Sequence, residues 1–369
     1  IFRFPLLDIR FGTREQETER RGRVVEVTYG TRDYAEGTGA ARTNNAFVYL
    51  PYGYGEDATR RYNILYLVHG HYGDARTFLT ADGGLLRRVL DHMIARGDIE
   101  PLIVVTPSYN YGRPTADYVS ADRYCRALPL ELQHDLMPLI ESRYRTYAPS
   151  AASAGLAASR AHRAIGGFSM GAVTTWYALD ETPALFHWFL PMSGDSWSLG
   201  PFAGMNRPAE TSRFLAERIR RQGFGPRDFY IWAASGTGDS AYRETLDQIE
   251  GMASAGDLFD LQNLTFHEKD GARHAYRPMV EYLYNALPFF FLSLGIPAGL
   301  MTLMQLGRHL YEARQAARTT AELLSIPAMP EGEDVEGDGP APGAVELSGV
   351  TFGYDPEEPV VRDVSLSIP

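Results

Sequence analysis

The sequence predicts an α/β protein with a mostly parallel sheet flanked by helices. Three observations carry that prediction. Residues 24–290 alternate strand-like with helix-like runs. Several of the strand-like runs are short and continuously apolar, as strands covered on both faces must be. The chain has 369 residues and is 44% hydrophobic, which is enough to build a large core.

Strands are expected over residues 24–30, 46–51, 63–69, 102–107, 163–168, 188–193, 229–235 and 263–268. The first two follow each other without a helix between them, which predicts an antiparallel hairpin at the start of the sheet. Helices are expected over 83–96, 128–144, 170–179, 209–222, 242–253 and 277–287. In the second of these, Leu132, Leu136, Leu139 and Ile140 recur at helical spacing. Residues 109–126, rich in Tyr, Asp and Gly, and residues 148–159, rich in Ala and Ser, read as loops on that frame.

A different texture begins near residue 291. Residues 289–306 are strongly apolar and long enough to span a bilayer, although Pro297, Gly295 and Gly299 interrupt them. A charged helix-like stretch over 307–325 follows, then an acidic Pro/Gly linker over 327–343, then a strand-like end. The sequence thus divides into an N-terminal segment (1–23), a main domain (24–292) and a helical and acidic extension (293–369).

Charge and cysteine usage exclude several classes. The formal net charge is −11, but residues 331–369 hold ten acidic side chains against one basic, Arg362. That segment carries −9 and leaves the rest near balance, with no basic field for nucleic acid. The single cysteine, Cys125, rules out an internal disulfide framework and Cys/His zinc sites, and reads as structural. The given residues start at Ile1 and show no signal-peptide pattern, which leaves the compartment open between secreted and cytoplasmic.

The chemistry centres on Gly167-Phe168-Ser169-Met170-Gly171, a G-x-S-x-G between an expected strand and an expected helix. That context is the nucleophile elbow of the α/β-hydrolase fold, whose mostly parallel sheet has eight strands, the number expected here. The elbow is crowded, so glycine is needed on either side of the serine. Serine is a weak nucleophile at neutral pH and needs a base, which in this fold follows an intervening acid in the chain. His274, in a loop after the last strand, occupies the base's place. His187 comes too early, His267 lies in a strand-like run, and His309 belongs to the extension. Asp239 is the only carboxylate in the loop after the preceding strand and is the expected acid; Asp195, after an earlier strand, competes, and is expected to shape the pocket rim or cap a helix. The oxyanion donors are expected to be the backbone N–H groups of Met170 and of His71, in the loop His69-Gly70-His71-Tyr72-Gly73. No carboxylate–histidine cluster completes a metal site at His69 and His71, so neither metal nor cofactor is expected. Tyr72, Trp197, Asp195 and Tyr276 are the expected substrate contacts, and the aromatic residues of the candidate loops, Tyr72, Tyr109, Tyr111, Trp197 and Tyr276, suit a flat aromatic acyl group.

These residues also carry a family likeness. Residues 24–290 resemble feruloyl esterases of carbohydrate esterase family 1, in particular the esterase modules attached to clostridial xylanases and their gut-bacterial relatives. The stretches that match are NILYLVHGHY (63–72), PLIVVTP (101–107), AIGGFSMGAVTTW (164–176), PMSGDSW (191–197), SGTGDSAY (235–242) and the run ending EYLYNALPFF at 290. The resemblance implies Ser169, Asp239 and His274 as the triad. It implies hydrolysis of hydroxycinnamoyl esters, free or linked to plant polysaccharide, and an acetyl or general carboxylesterase is the alternative within the same fold.

The extension resembles something else. LMQLGRHLYEARQAARTTAELLSI (303–326) looks like the end of the last membrane helix of an ABC exporter, and VELSGVTFGYDPEEPVVRDVSLSIP (345–369) like the first strands of its nucleotide-binding domain. Tyr354 sits where that family stacks adenine. No phosphate-binding G-x-x-x-x-G-K-[ST] motif accompanies it, which argues against a transporter component. The whole reads as an esterase fused to an exporter-like fragment at residues 290–303, with membrane association expected only through the latter.

Overall fold

A computed structural model describes residues 3–6, 16–111, 115–255, 258–291, 345–352 and 360–368. They belong to two compact units, Ile1–Met301 and Thr302–Pro369. The expected boundary at 292–293 lies outside the described residues.

In the first unit the strands are β1 (Arg3–Pro5), β2 (Arg23–Arg32), β3 (Ala41–Leu50), β4 (Asn63–Val68), β5 (Leu102–Pro107), β6 (Arg163–Phe168), β7 (Trp188–Met192), β8 (Tyr230–Gly236) and β9 (Leu264–Lys269). The helices are α1 (Thr77–Arg96), α2 (Tyr118–Glu131), α3 (Met137–Arg143), α4 (Ser153–Ala158), α5 (Met170–Glu181), α6 (Ala203–Asn206), α7 (Pro208–Arg221), α8 (Tyr242–Ser254) and α9 (Tyr276–Ala286). The strands form one sheet in the order β1-β9-β8-β7-β6-β4-β5-β3-β2. Pairing is antiparallel from β2 to β3 and from β3 to β5, and parallel elsewhere. This is an α/β-hydrolase sheet with one added edge strand.

Strand periodicity divides the core into two layers. On β4, Ile64, Tyr66 and Val68 pack on one face of the sheet with residues of α2, α3, α5, α7 and α8. Leu65 and Leu67 point to the other face and meet α1 and α9. The continuous apolar runs are therefore strands buried on both sides. Beneath the start of β6, the fully buried Arg163 forks onto Glu141 at 2.7 and 2.8 Å, which fixes the strand that leads to Ser169.

Four expectations change. The expected eight-stranded sheet has nine strands, because Arg3–Pro5 joins β9 in parallel. Three residues carry no periodicity, and only Phe4 among them is buried. The expected loop 109–126 becomes helical at Tyr118, where Asp117 caps α2 by accepting the Ser120 N–H at 2.7 Å. The expected loop 148–159 contains the short helix α4. The single helix expected over 128–144 is interrupted by a π-turn at Leu132–Leu136, just after Pro129.

In the second unit, β10 (Val345–Phe352) and β11 (Val361–Ile368) form an antiparallel ribbon with Leu347, Phe352, Val364 and Leu366 exposed. A two-stranded ribbon is marginal alone. The exporter-like stretch 303–326, most of the apolar run 289–306 and Tyr354 lie outside the described residues. Among the described residues no helix is long and apolar enough to cross a membrane.

Candidate active site

Ser169 stands between the end of β6 and the start of α5, with φ 60° and ψ −120°. A serine holds that conformation only where its surroundings enforce it. Its N–H bonds to the Met192 carbonyl at 2.9 Å, which ties the turn to the end of β7. The flanking glycines are sterically required. A Cβ on Gly167 would run into the Gly171 carbonyl, and one on Gly171 into the carbonyl of Val68. The elbow expected from the motif is thus present in full geometry.

Asp239 and His274 come together as the chain order predicted. Asp239 follows β8, His274 follows β9, and His274 Nδ1 lies 2.7 Å from Asp239 Oδ1. The carboxylate cannot donate, so the Nδ1–H does, which leaves Nε2 as the ring atom turned to proton exchange. The Asp239 side chain is fully buried, whereas that of His274 is 30% exposed. Asp239 Oδ1 also accepts the Ala241 N–H at 2.7 Å. The Phe168 ring packs on the His274 ring with centroids 4.4 Å apart, so the residue before Ser169 in the motif supports the base.

The two loops that carry the acid and the base are lashed to each other. Gly238 N–H bonds to Ala272 O at 3.1 Å and Thr237 N–H to Lys269 O at 2.9 Å. The Thr237 hydroxyl bonds to Asp270 at 3.0 Å and accepts the Gly271 N–H at 2.8 Å. The His274–Asp239 pair is therefore set by backbone as well as by its own hydrogen bond.

The expected oxyanion donors lie on two sides of this turn. Met170 is the first residue of α5, so its N–H is one of the helix's amino-terminal donors without an intrahelical acceptor. In the loop after β4, Gly70 approaches so closely that a Cβ there would lie 3.3 Å from Ser169 Cβ. Among the described residues nothing accepts the His71 N–H. His69 is buried, with Nδ1 2.7 Å from the Gly70 carbonyl and Nε2 2.9 Å from the Ser108 hydroxyl. Burial lowers its pKa to about 4, so it is a neutral support for the loop. No group of three or more His, Cys, Asp or Glu among the described residues is placed to hold a metal ion.

The expected substrate contacts separate into different situations. Tyr72 is 89% exposed and meets His71 edge-on. Trp197 is 2% exposed, packed on Phe202, with its indole N–H donating to Asp195 at 2.8 Å. Asp195 is fully buried and its second oxygen accepts the Met205 N–H of α6 at 2.8 Å. Both oxygens are engaged, so of the roles expected for Asp195 the helix cap, at α6, is the one the structure places, together with a support for Trp197, in place of a direct substrate contact. Tyr276 turns its hydroxyl toward α1, donating to Phe78 O at 2.8 Å and accepting from Leu86 N at 3.3 Å. That places the hydroxyl in the α1–α9 packing, and only the ring's flank remains for any substrate.

One residue of this region escaped the sequence. Glu244, in the first turn of α8, is half-buried and interacts electrostatically with Asp195, His274 and Asp239. Burial and then the Asp195 charge raise its pKa to about 7. An acidic residue in a helix's first turn is ordinary, which hid it. Because its folded pKa lies above the ordinary glutamate value of 4.5, protonated Glu244 adds stability below pH 4.5 that is lost as pH rises through about 7. In urea unfolding at a series of pH values, Glu244→Gln should gain on the wild type across that window. A stability difference that is flat with pH would contradict the assignment.

Comparison with known proteins bears on the family and the fold. The family model described as "Putative esterase" matches residues 39–283. An endo-1,4-beta-xylanase Y of Acetivibrio thermocellus is 38% identical over 275 residues, which is 73% of this chain and 23% of that protein. An endo-1,4-beta-xylanase/feruloyl esterase of Xylanibacter ruminicola is 31% identical over 186 residues, 48% of this chain and 22% of that protein. The chain thus spans under a quarter of the length of either relative. Among solved structures, a serine-to-alanine mutant of the feruloyl esterase module from Clostridium thermocellum, complexed with sinapinate, is 35% identical with a TM-score of 0.68, covering 80% of this chain and 96% of that one. A ferulic acid esterase from Anaeromyces mucronatus, 21% identical with a TM-score of 0.55 over 77% of this chain and 96% of that one, shares the fold.

Proposed function

Since the chain belongs to the putative esterase family and is a carboxylic ester hydrolase, we propose that it cleaves hydroxycinnamoyl esters of plant cell-wall polysaccharide through Ser169, His274 and Asp239. The observation that carries the substrate class is the likeness, over nearly the whole of that module, to a feruloyl esterase structure holding a hydroxycinnamate. Support for the polysaccharide comes from the relatives, one an endo-1,4-beta-xylanase and the other an endo-1,4-beta-xylanase/feruloyl esterase.

In this reading Ser169 Oγ attacks the ester carbonyl while His274 Nε2 takes its proton. The oxyanion that forms is held by the N–H groups of Met170 and His71. Asp239 orients the ring through Nδ1 and offsets the charge of the imidazolium. Collapse of the tetrahedral species expels the alcohol, which leaves with the proton from His274. Water then enters by the same route in reverse and releases the acid. Trp197 is held by Asp195 and only 2% exposed, which leaves Tyr72 and the flank of the Tyr276 ring as the aromatic contacts for the acyl group.

The purified protein should turn over methyl ferulate with a kcat/KM well above that for p-nitrophenyl acetate. Fast acetate release with no release of ferulate would replace the proposed substrate with the acetyl or general esterase reading. The division into an esterase domain at 24–292 and an exporter-like extension at 293–369 also stands as a proposal.

A further inference from the structure

A second concavity opens beside the oxyanion loop, away from the triad loops. It is a groove of about 630 Å³ whose walls include Asp33, Arg42, Asn110, Tyr111, Arg123 and Tyr124. That volume falls within the ~300–1,000 Å³ range of small-molecule sites. Two of its lining residues reach the oxyanion loop directly. Asn110 Nδ2 donates to the Gly73 carbonyl at 3.3 Å, and the Thr115 hydroxyl lies 3.3 Å from His71 Nδ1. An ester whose carbonyl oxygen faces the His71 N–H has this groove next to one of its two halves.

The lining decides which half. The rings of Tyr111 and Tyr124 meet edge-on with centroids 6.3 Å apart, and present aromatic faces among charged and amide side chains. Arg42 forks onto Asp33, with Nη2 at 2.5 Å, and Arg123 pairs with Glu36 at 2.9 Å. Each guanidinium is thus matched by a carboxylate, so the groove offers donors and acceptors without a net field for an anion. An aromatic acyl group calls for an apolar slot. A ring with polar hydroxyls on its edge and C–H groups on its face fits aromatic faces beside paired charges.

The floor is held rigid from below. Tyr111 has φ +52°, an uncommon backbone for a non-glycine residue, and its hydroxyl is 3.4 Å from the Arg32 carbonyl. The buried Glu131 beneath it accepts from Tyr29 at 2.7 Å and from Asn44 at 2.8 Å. Asn44 also donates to the Ser108 carbonyl at 2.8 Å, just past the end of β5, and the Ser108 hydroxyl lies 2.9 Å from His69 Nε2, so the groove floor and the oxyanion loop share one hydrogen-bond network. The π-turn that follows Glu131 carries Asp135, which accepts from the Thr31 hydroxyl at 2.8 Å and the Tyr34 hydroxyl at 2.9 Å and so ties the end of β2 to the same network.

We propose that this groove, walled by Tyr111, Tyr124, Arg42 and Arg123, binds the alcohol half of the substrate, an uncharged pentose oligosaccharide esterified by the acyl group at Ser169. The assignment rests on the function proposed above, and deepens it by separating a sugar subsite from the acyl site.

The test compares two esters of one acid: methyl ferulate and a feruloylated arabinoxylo-oligosaccharide. Arg123→Ala and Tyr124→Ala change exposed or half-buried side chains outside the catalytic groups. Each variant should raise KM for the oligosaccharide ester by about tenfold, the equivalent of ~1.4 kcal/mol, and leave kcat/KM for methyl ferulate unchanged. Free arabinoxylo-oligosaccharide should inhibit the wild type competitively and the variants more weakly. Equal effects on both esters, or none on either, would overturn the subsite. If the wild type hydrolyses neither ester, the proposed function falls. Calorimetry with the free oligosaccharide then decides the groove by itself: binding that the variants lose supports it, and no binding rejects it.

Discussion

Ser169→Ala should lower kcat on a hydroxycinnamoyl ester on the order of 10⁵–10⁶-fold, with little change in KM. The substitution removes only Oγ, the atom on which the acyl group is exchanged. The surrounding turn is held by the Ser169 N–H bond to Met192 and by the crowding at Gly167 and Gly171, none of which involves the hydroxyl. Thermal unfolding should therefore stay close to wild type, which separates lost chemistry from lost fold. What activity remains would come from the oxyanion donors and from substrate positioning. A variant with full turnover would remove Ser169 from the mechanism.

Asp239→Asn comes next in size, at roughly 10⁴-fold in kcat. The argument is electrostatic as much as geometric. Asp239 Oδ1 accepts both His274 Nδ1–H and the Ala241 N–H, and an amide oxygen in its place could still accept both. The amide lacks the negative charge that stabilises the imidazolium in the transition state, and it places an NH₂ where the buried Oδ2 has no hydrogen-bond partner. Steady-state kinetics on methyl ferulate would measure the loss, with KM expected to hold. A loss of less than tenfold would mean that another carboxylate serves the base. Asp195 is poorly placed for that, since its two oxygens are committed to Trp197 and Met205. Glu244 would then be the candidate.

How much of this was legible in the sequence differs by element. The triad was legible because chain order and loop position are topological: a serine after β6, a carboxylate after β8 and a histidine after β9 follow from counting strands. The buried strands were legible from their continuous apolar runs. β1 was not, since three residues give no period and its partner strand lies more than two hundred positions away. The start of α2 was hidden because its first turns carry few apolar residues, and only the Asp117 cap marks it. Asp195 stayed open between a pocket rim and a helix cap because sequence does not show burial; only the fold reveals that both its oxygens are used internally. Glu244 and the groove beside Tyr111 were invisible for a related reason. Each depends on groups from distant segments meeting, and no local pattern encodes that.

The most direct test of the central claim is to catch the acyl group on the protein. The full chain would be mixed with excess methyl ferulate, quenched in acid during turnover, digested and mapped by mass spectrometry. The account predicts a feruloyl adduct on the peptide that contains Ser169, absent from Ser169→Ala and accumulating when a slower-hydrolysing ester is used. Feruloylation at another residue, or ferulate release by Ser169→Ala at the wild-type rate, would contradict it.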